Sequence, residues 1–177
     1  MTYSGDRILL SNQRESRVSR FRAWALVAVP FAAVLFQVYV PLFFQFLGFV
    51  DLPLLVVVYF ALMQRGQIGG LVLGALVGLA QDSLSQNPLG MFGIVKTLVG
   101  YFSASVGIRL DVDRALIRLV LVFFFYLFHQ FLHWVLVRAL LGQALVFEWQ
   151  RMLVLGVLNA VVGVSVFFFL DKLRESA

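Results

Sequence analysis

Residues 66–82 read GQIGGLVLGALVGLAQD, an apolar stretch with a small residue at every fourth position until a carboxylate takes its place. The series runs through Gly66, Gly70, Gly74, Gly78 and Asp82. At 3.6 residues per turn, positions four apart follow one face of a helix. The hydrophobic effect does not drive helices together inside a bilayer, so small residues that allow close backbone approach promote helix association there. The stretch therefore predicts a membrane helix that packs through its glycine face.

The composition of the whole chain is that of a membrane protein. Of its 177 residues, 62% are hydrophobic and 13% are charged, whereas soluble domains have about 45–50% apolar and about 25% charged residues. The mean hydropathy is +0.95, which excludes a soluble globule and a disordered chain. The chain has no cysteine, which excludes disulfides, iron–sulfur clusters and thiol catalysis.

The positive charge of the chain points to lipid and not to nucleic acid. The formal net charge is +5 and the isoelectric point is about 10.1. A nucleic-acid site needs basic residues clustered on a solvated face, but here they flank the apolar runs. This placement suits contact with anionic membrane lipids and the setting of topology.

The hydropathy pattern predicts an all-α polytopic membrane protein with six transmembrane helices. Residues 1–22 form a basic cytoplasmic segment, residues 23–170 the transmembrane domain, and residues 171–177 a cytoplasmic tail. The predicted spans cover residues 23–47, 52–63, 67–84, 89–110, 115–141 and 152–170. The second span is short against the ~20 residues that a bilayer core requires, so five crossings remain an alternative.

The distribution of Lys and Arg predicts that both termini are cytoplasmic. With the N-terminus inside, five arginines of the first segment, Arg65, the 109–118 turn and the tail all lie on the inner side. Only Arg138 and Arg151 lie on outer turns. This bias agrees with the positive-inside rule for six crossings.

Asp82 and Lys96 are charged residues within predicted spans, where a charge is costly unless it has a partner. A tight turn joins their two helices, which makes these helices antiparallel neighbours. Gly93, Lys96 and Gly100 share one face of the fourth helix through their spacing of three and four. We therefore expect this face to meet the glycine strip, as a helix-packing or partner interface, and Asp82 to pair with Lys96. The alternative is that Asp82 reaches the outer interface and Lys96 lines a wet groove.

His129 and His133 have the spacing of metal ligands on one helix face. Gln130 stands where a zinc peptidase would carry its general-base glutamate, and no carboxylate obviously supplies a third ligand, with Glu148 the nearest candidate. We expect interhelical hydrogen bonding or a polar pocket, without a metal. No phosphate-binding loop, dinucleotide fingerprint or catalytic triad order occurs, so neither an enzyme nor a cofactor is indicated.

Most of the chain, and most sharply residues 51–101, resembles the MreD family of rod shape-determining proteins. The resemblance rests on DLPLLVVVYFAL from Asp51, a basic turn at Arg65, the glycine series up to Asp82, and Leu89-Gly90 opening the next helix. Gly70, Gly74, Gly78, Asp82 and Gly90 fall on the family's motif, which has no catalytic residue. The resemblance implies a fold like that of the substrate-binding S-components of energy-coupling-factor transporters.

The resemblance also implies a function and partners. MreD proteins are non-enzymatic members of the bacterial cell-elongation machinery in the cytoplasmic membrane, where they bind MreC. They act with RodA, its transpeptidase partner and MreB in peptidoglycan synthesis and cell shape. The alternative that the shared fold allows is a small-molecule binder, with Lys96, His129 and His133 lining a pocket.

Overall fold

The computed structural model describes residues 24–85, 88–142 and 146–174, and these residues confirm the all-α prediction. The described chain forms six α-helices, which are α1 (Ala25–Tyr39), α2 (Leu52–Gln64), α3 (Gln67–Leu84), α4 (Met91–Gly107), α5 (Ala115–Leu140) and α6 (Trp149–Asp171). Two short 3₁₀ helices, Val40–Leu42 and Gln45–Phe49, join α1 to α2. The predicted basic segment 1–22 and the last residues of the tail lie outside the described residues.

Five segments of the described chain are long and apolar enough to cross a membrane. These segments are Ala25–Leu42, Gln45–Gln64, Gln67–Leu84, Ala115–Leu140 and Trp149–Asp171. The second predicted span, residues 52–63, matches α2, which is short, with 13 residues. Together with the 3₁₀ helix before it, the apolar segment reaches 20 residues, enough to cross a membrane. Helix α4, Met91–Gly107, is apolar but has 17 residues, and it is not among the five segments.

Helix α2 is the centre of the bundle. Every residue from Pro53 to Met63 is buried, as expected for a helix that is apolar on all sides. The helix begins at Asp51, whose side chain accepts a hydrogen bond from the Leu54 N–H at 2.9 Å, and this bond satisfies a first-turn donor. It ends at Arg65, whose left-handed φ of 56° turns the chain into α3.

Helices α3 and α4 pack backbone to backbone along the glycine face. A Cβ added at three of the α3 glycines would come closer than 3.0 Å to a carbonyl oxygen of α4, a separation that real Cβ atoms essentially never show. In chain order, Gly70, Gly74 and Gly78 lie against the carbonyl groups of Gly100, Lys96 and Phe92. The two helices are therefore antiparallel, and the strip is covered by the chain's own α4 and is not open to a partner.

The remaining glycines predicted for this surface have other surroundings. Gly66 is exposed and precedes α3, so it lies outside the contact, because the helix that carries the strip begins one residue later. Gly93 faces the side chain of Leu79, whose Cδ2 would lie 2.9 Å from an added Cβ. Gly93 therefore makes room for an α3 side chain, while its Cα lies against Gly78 of the strip.

Helix α4 also contacts α2 closely. A Cβ at Gly107 would collide with the Leu62 carbonyl group, and one at Gly100 would lie 3.5 Å from a Val57 methyl carbon. In these two contacts the later residue of α4 faces the later residue of α2, so the two helices run parallel. Helix α4 thus packs against both α2 and α3, and the start of α2 lies at the depth of Lys96.

Replacement of Gly74 by Ala should destabilise the bundle by about 1–3 kcal/mol, because the added methyl group forces α3 away from the Lys96 carbonyl group. Gly69→Ala is the matched control, since Gly69 is exposed on the same helix and an added Cβ would lie 3.5 Å from its nearest neighbour, Gln64 Oε1. Thermal unfolding in detergent, followed by size-exclusion chromatography, measures both variants. Equal melting temperatures for the two variants would show that α3 and α4 are not in backbone contact.

Candidate functional site

A buried ion pair joins α4 to the start of α2. The Lys96 Nζ lies 3.1 and 3.0 Å from the two carboxylate oxygens of Asp51, and Lys96 is fully buried. The Nε2 of His129, on α5, lies 3.4 Å from the same ammonium group. The predicted ion pair of Lys96 with Asp82 is therefore wrong, because the parallel packing of α2 and α4 brings Asp51 to Lys96.

Asp51 also connects the pair to α6 and to its own helix. Its backbone N–H donates to Asn159 Oδ1 at 2.9 Å, and the Asn159 amide donates to the Phe49 carbonyl oxygen at 2.8 Å. The neighbouring Leu52 N–H donates to Gln37 Oε1 at 3.2 Å. Because a charge inside a membrane requires partners, these contacts hold the carboxylate in a polar setting contributed by several helices.

Asp82 caps the first turn of α4 and does not form the predicted ion pair. Its carboxylate accepts hydrogen bonds from the N–H groups of Gly90, Phe92 and Gly93 at 3.0, 3.1 and 2.9 Å. The N–H groups at a helix start have no partners within the helix, and the helix dipole favours a negative charge there. These donors lie nearer to Asp82 than the lysine does, so the glycine helix holds α4 in place from its last turn.

An open cavity of about 430 Å³ lies beside the ion pair. It is formed where α1 and α3 end, where α2, α4 and α6 begin, and by the second half of α5. The lining residues include Gln37, Phe49, Asp51, Gln81, Phe92, Tyr126, His129, Gln130, His133, Trp134, Glu148, Arg151 and Met152. The structure therefore brings both histidines to one cavity, while Lys96 lies behind its wall.

The two histidines form an aromatic wall with Phe92. The rings of His129 and His133 are nearly parallel, with centroids 6.5 Å apart, and Phe92 stacks on them at 5.9 and 5.0 Å. Within the described ranges, no group of three His, Cys, Asp or Glu side chains is placed to hold a metal ion. The wall therefore offers flat apolar surface with ring nitrogens.

Two buried polar atoms of the cavity residues have no hydrogen-bond partner within the described part of the chain. They are the Nδ1 of His129 and the Oε1 of Gln81, and their residues are only 1% and 6% exposed. A buried polar atom without a partner costs about 1–3 kcal/mol. Both atoms are enclosed by the described protein, so their burial carries this cost within the wall of the cavity.

A second polar cluster closes the opposite end of the bundle. The Arg118 Nε donates to the Val112 carbonyl oxygen at 2.7 Å, and the same guanidinium pairs with Asp171. Asp171 also accepts a hydrogen bond from the Tyr59 hydroxyl at 2.9 Å. Arg174 donates to Asp113 at 3.1 Å. These contacts hold the loop before α5 and the end of α6 against α2.

Sequence reasoning missed Asp51 as the lysine's partner. In the sequence, Asp51 is a carboxylate directly before an apolar span. This position indicates the start of a helix but not the partner of the carboxylate. Asn159 forms hydrogen bonds that link α6 to the start of α2, and Gln81 lines the cavity with the histidines, but both placements depend on the packing. The Arg118 cluster has no sequence signal beyond its charges.

The comparison with family models places most of the chain in a known family. Residues 19–175 match the family model described as rod shape-determining protein MreD. No curated protein and no solved structure matches the chain.

The ion pair predicts a specific double-mutant result. Lys96→Met alone should destabilise the bundle by about 3–5 kcal/mol, because it leaves the Asp51 carboxylate buried without its partner. Adding Asp51→Asn should recover much of this loss, since the amide oxygen can still accept the Leu54 N–H bond, whereas adding Asp82→Asn should not. The melting temperatures of the single and double variants in detergent measure the coupling. Rescue by the Asp82 change and not by the Asp51 change would restore the pairing expected from the sequence.

Proposed function

Because the chain belongs to the MreD family of rod shape-determining proteins, we propose that it is a non-enzymatic membrane scaffold of the bacterial cell-elongation complex. In this proposal the chain binds MreC and thereby helps to regulate peptidoglycan synthesis and rod shape. RodA, its transpeptidase partner and MreB are the further partners that the family resemblance implies.

The proposal rests on the observation that the intramembrane charges of Lys96 and Asp82 are bound within the bundle. Lys96 is paired with Asp51, and Asp82 is occupied by the start of α4, so these groups fix helices. What remains for contact is the outer surface of the bundle and the open cavity. Helix α1, for example, exposes apolar side chains such as Val27 and Phe31. A bundle of this kind supports assembly within the bilayer better than chemistry.

The proposed topology has six crossings with both termini on the cytoplasmic side. Helix α4 has only 17 residues. It lies antiparallel against α3 from Gly70 to Gly78, and α3 is long enough to cross a membrane, so we include α4 among the six crossings. The excess of Lys and Arg on the inner turns supports this orientation. The cavity then opens on the outer side of the cytoplasmic membrane, where MreC-type proteins carry their large domain. Residues 1–22 and 171–177 would face the cytoplasm, next to anionic lipid headgroups.

A second candidate is a small-molecule binder with an S-component-like fold. The observation that favours it is the open cavity, whose lining includes polar side chains such as Gln81, His129 and His133. Binding sites for small molecules are concave, with a few polar groups that orient the ligand. The two candidates differ in what accompanies the purified chain.

The scaffold proposal predicts that the tagged chain, purified from bacterial membranes in mild detergent, brings down MreC in stoichiometric amount. The same chain should restore rod shape to cells that lack their own MreD protein. Gly74→Leu should abolish both results because it separates α3 from α4, while Gly69→Leu, on the exposed face of α3, should preserve them. Quantitative mass spectrometry of the eluate and cell imaging provide the measurements.

Two results would contradict the scaffold proposal. One is wild-type chain that is folded and abundant in the membrane but carries no MreC. The other is a stoichiometric small molecule in the denatured eluate without any partner chain, which would support the second candidate instead.

A further inference from the structure

Three polar side chains that line the open cavity have hydrogen-bonding atoms that the described protein does not use. Gln37 accepts the Leu52 N–H through its Oε1, which leaves its amide nitrogen without a partner in the described chain. Gln130 donates through Nε2 to the Tyr126 hydroxyl, which leaves its amide oxygen. Neither ring nitrogen of His133 is bonded to a described residue. None of these atoms is among the enclosed atoms that lack a partner, so they border open space.

On α5, two of these polar groups lie next to the aromatic wall. The Phe92 ring stacks on His133 with their centroids 5.0 Å apart. Gln130 precedes His133 by three residues, so the two side chains are neighbours on one face of the helix. A flat ring surface and hydrogen-bonding atoms therefore adjoin on this side of the cavity.

Gln37 belongs to the same site through a chain of short contacts. Its Oε1 lies 3.2 Å from the N–H nitrogen of Leu52, the residue after Asp51. The Asp51 carboxylate lies 3.7 Å from the His129 Nε2, and the His129 ring stacks on Phe92 at 5.9 Å. Because each step of this chain is short, one small ligand can contact both the aromatic wall and the Gln37 amide.

The charges around the cavity favour an uncharged ligand. The Asp51 carboxylate is paired with Lys96 at 3.0 Å, and at the rim Arg151 lies 3.6 Å from Glu148. A charged ligand would therefore have to break one of these pairs to obtain a counter-charge from the described lining. A wholly apolar ligand would displace water from the polar side chains without replacing its hydrogen bonds, which is unfavourable. The ligand that fits is neutral and has several hydrogen-bonding groups.

A sugar ring has the chemistry that this lining requires. Each sugar hydroxyl both donates and accepts a hydrogen bond, as glutamine amides and an imidazole ring together do. One face of the ring presents C–H groups, and the face of an aromatic ring carries negative partial charge that attracts them. The cavity volume of about 430 Å³ lies in the range of roughly 300–1,000 Å³ that is typical of small-molecule sites.

We propose that the cavity binds the ring of an uncharged sugar. The C–H face of the sugar lies against the aromatic wall at Phe92 and His133. Its hydroxyl groups donate to the Gln130 amide oxygen, accept from the Gln37 amide nitrogen and bond to the His133 ring. The sugar is either free or the headgroup of a glycolipid. The inference rests on the second function proposed above, small-molecule binding, and names the class of the ligand.

A panel of matched probes tests the ligand class. Saturation-transfer-difference NMR follows the methyl glycosides of glucose, galactose, mannose and their N-acetylamino forms on the full chain in lipid nanodiscs, with empty nanodiscs as the blank. The controls are methoxytetrahydropyran, which is the ring without hydroxyl groups, and methyl glucuronide, which adds a carboxylate. At least one glycoside should bind saturably and at least about fivefold more tightly than either control. Equal binding of a control, or no saturable glycoside, would overturn the proposal.

A matched pair of variants locates the site. Gln130→Leu and Gln67→Leu each remove an amide that donates one side-chain hydrogen bond of 2.9 Å, but Gln130 lines the cavity and Gln67 begins α3 at the other end of the helix. The first variant should weaken glycoside binding at least about fivefold, and the second should leave it unchanged. His133→Phe, which keeps a flat ring beside Phe92 without ring nitrogens, should weaken binding similarly. Melting temperatures show whether each variant is folded. Wild-type affinity in the folded Gln130 and His133 variants would overturn the proposal.

The source of the sugar is found by competition. The glycoside that binds most tightly is measured in nanodiscs of plain phospholipid and in nanodiscs that also contain a glycolipid with the same sugar as its headgroup. Loss of the glycoside signal in the second set assigns the site to a lipid headgroup. An unchanged signal assigns it to a free sugar, and either result supports the inference.

Failure of this inference is distinguishable from failure of the proposed functions. A stoichiometric molecule other than a sugar in the denatured eluate would overturn the sugar and leave the small-molecule candidate in place. Co-purified MreC would support the scaffold whether or not a glycoside binds.

Discussion

Backbone contact between α3 and α4 is the constraint on which the rest of the structure depends. Gly70, Gly74 and Gly78 have no side chains to separate the helices, so carbonyl groups of α4 approach them directly. In lipid, where the hydrophobic effect does not drive helices together, the van der Waals contact from this close approach stabilises the helix pair. The same contact sets the rotation and depth of α4. It thereby places Lys96 at the start of α2 and the first turn of α4 at Asp82.

The charges within the bundle follow from this placement. Lys96 and Asp82 each meet a group that offsets the cost of an intramembrane charge. Lys96 meets the Asp51 carboxylate, and Asp82 meets the N–H groups at the start of α4. A buried ion pair is weak evidence for net stability, but both contacts fix the relative positions of helices. His129 is the link from this structural core to the cavity, since one ring nitrogen faces the ion pair and the other has no partner in the described chain.

Much of the fold could be predicted from the sequence, but little of the site could. The apolar runs locate the six helices because hydropathy is local, and the spacing of four from Gly70 to Gly78 shows which face of α3 packs closely. The Asp82–Lys96 pair was wrong because sequence spacing gives the face of a residue but not the depth of its neighbours. Asp51 reaches Lys96 only because α2 lies between α4 and α6, which is a property of tertiary packing. That Gln81 and His129 line one cavity depends on that same packing.

The most direct test is to determine what lies against the glycine strip in the assembled protein. Cryo-electron microscopy of the chain in lipid nanodiscs, purified together with its native partners, would resolve the surroundings of Gly74. The account predicts the Lys96 carbonyl group of the same chain against Gly74, with Lys96 directed to Asp51. A lipid tail or a partner's helix in that position, with α4 elsewhere, would contradict it.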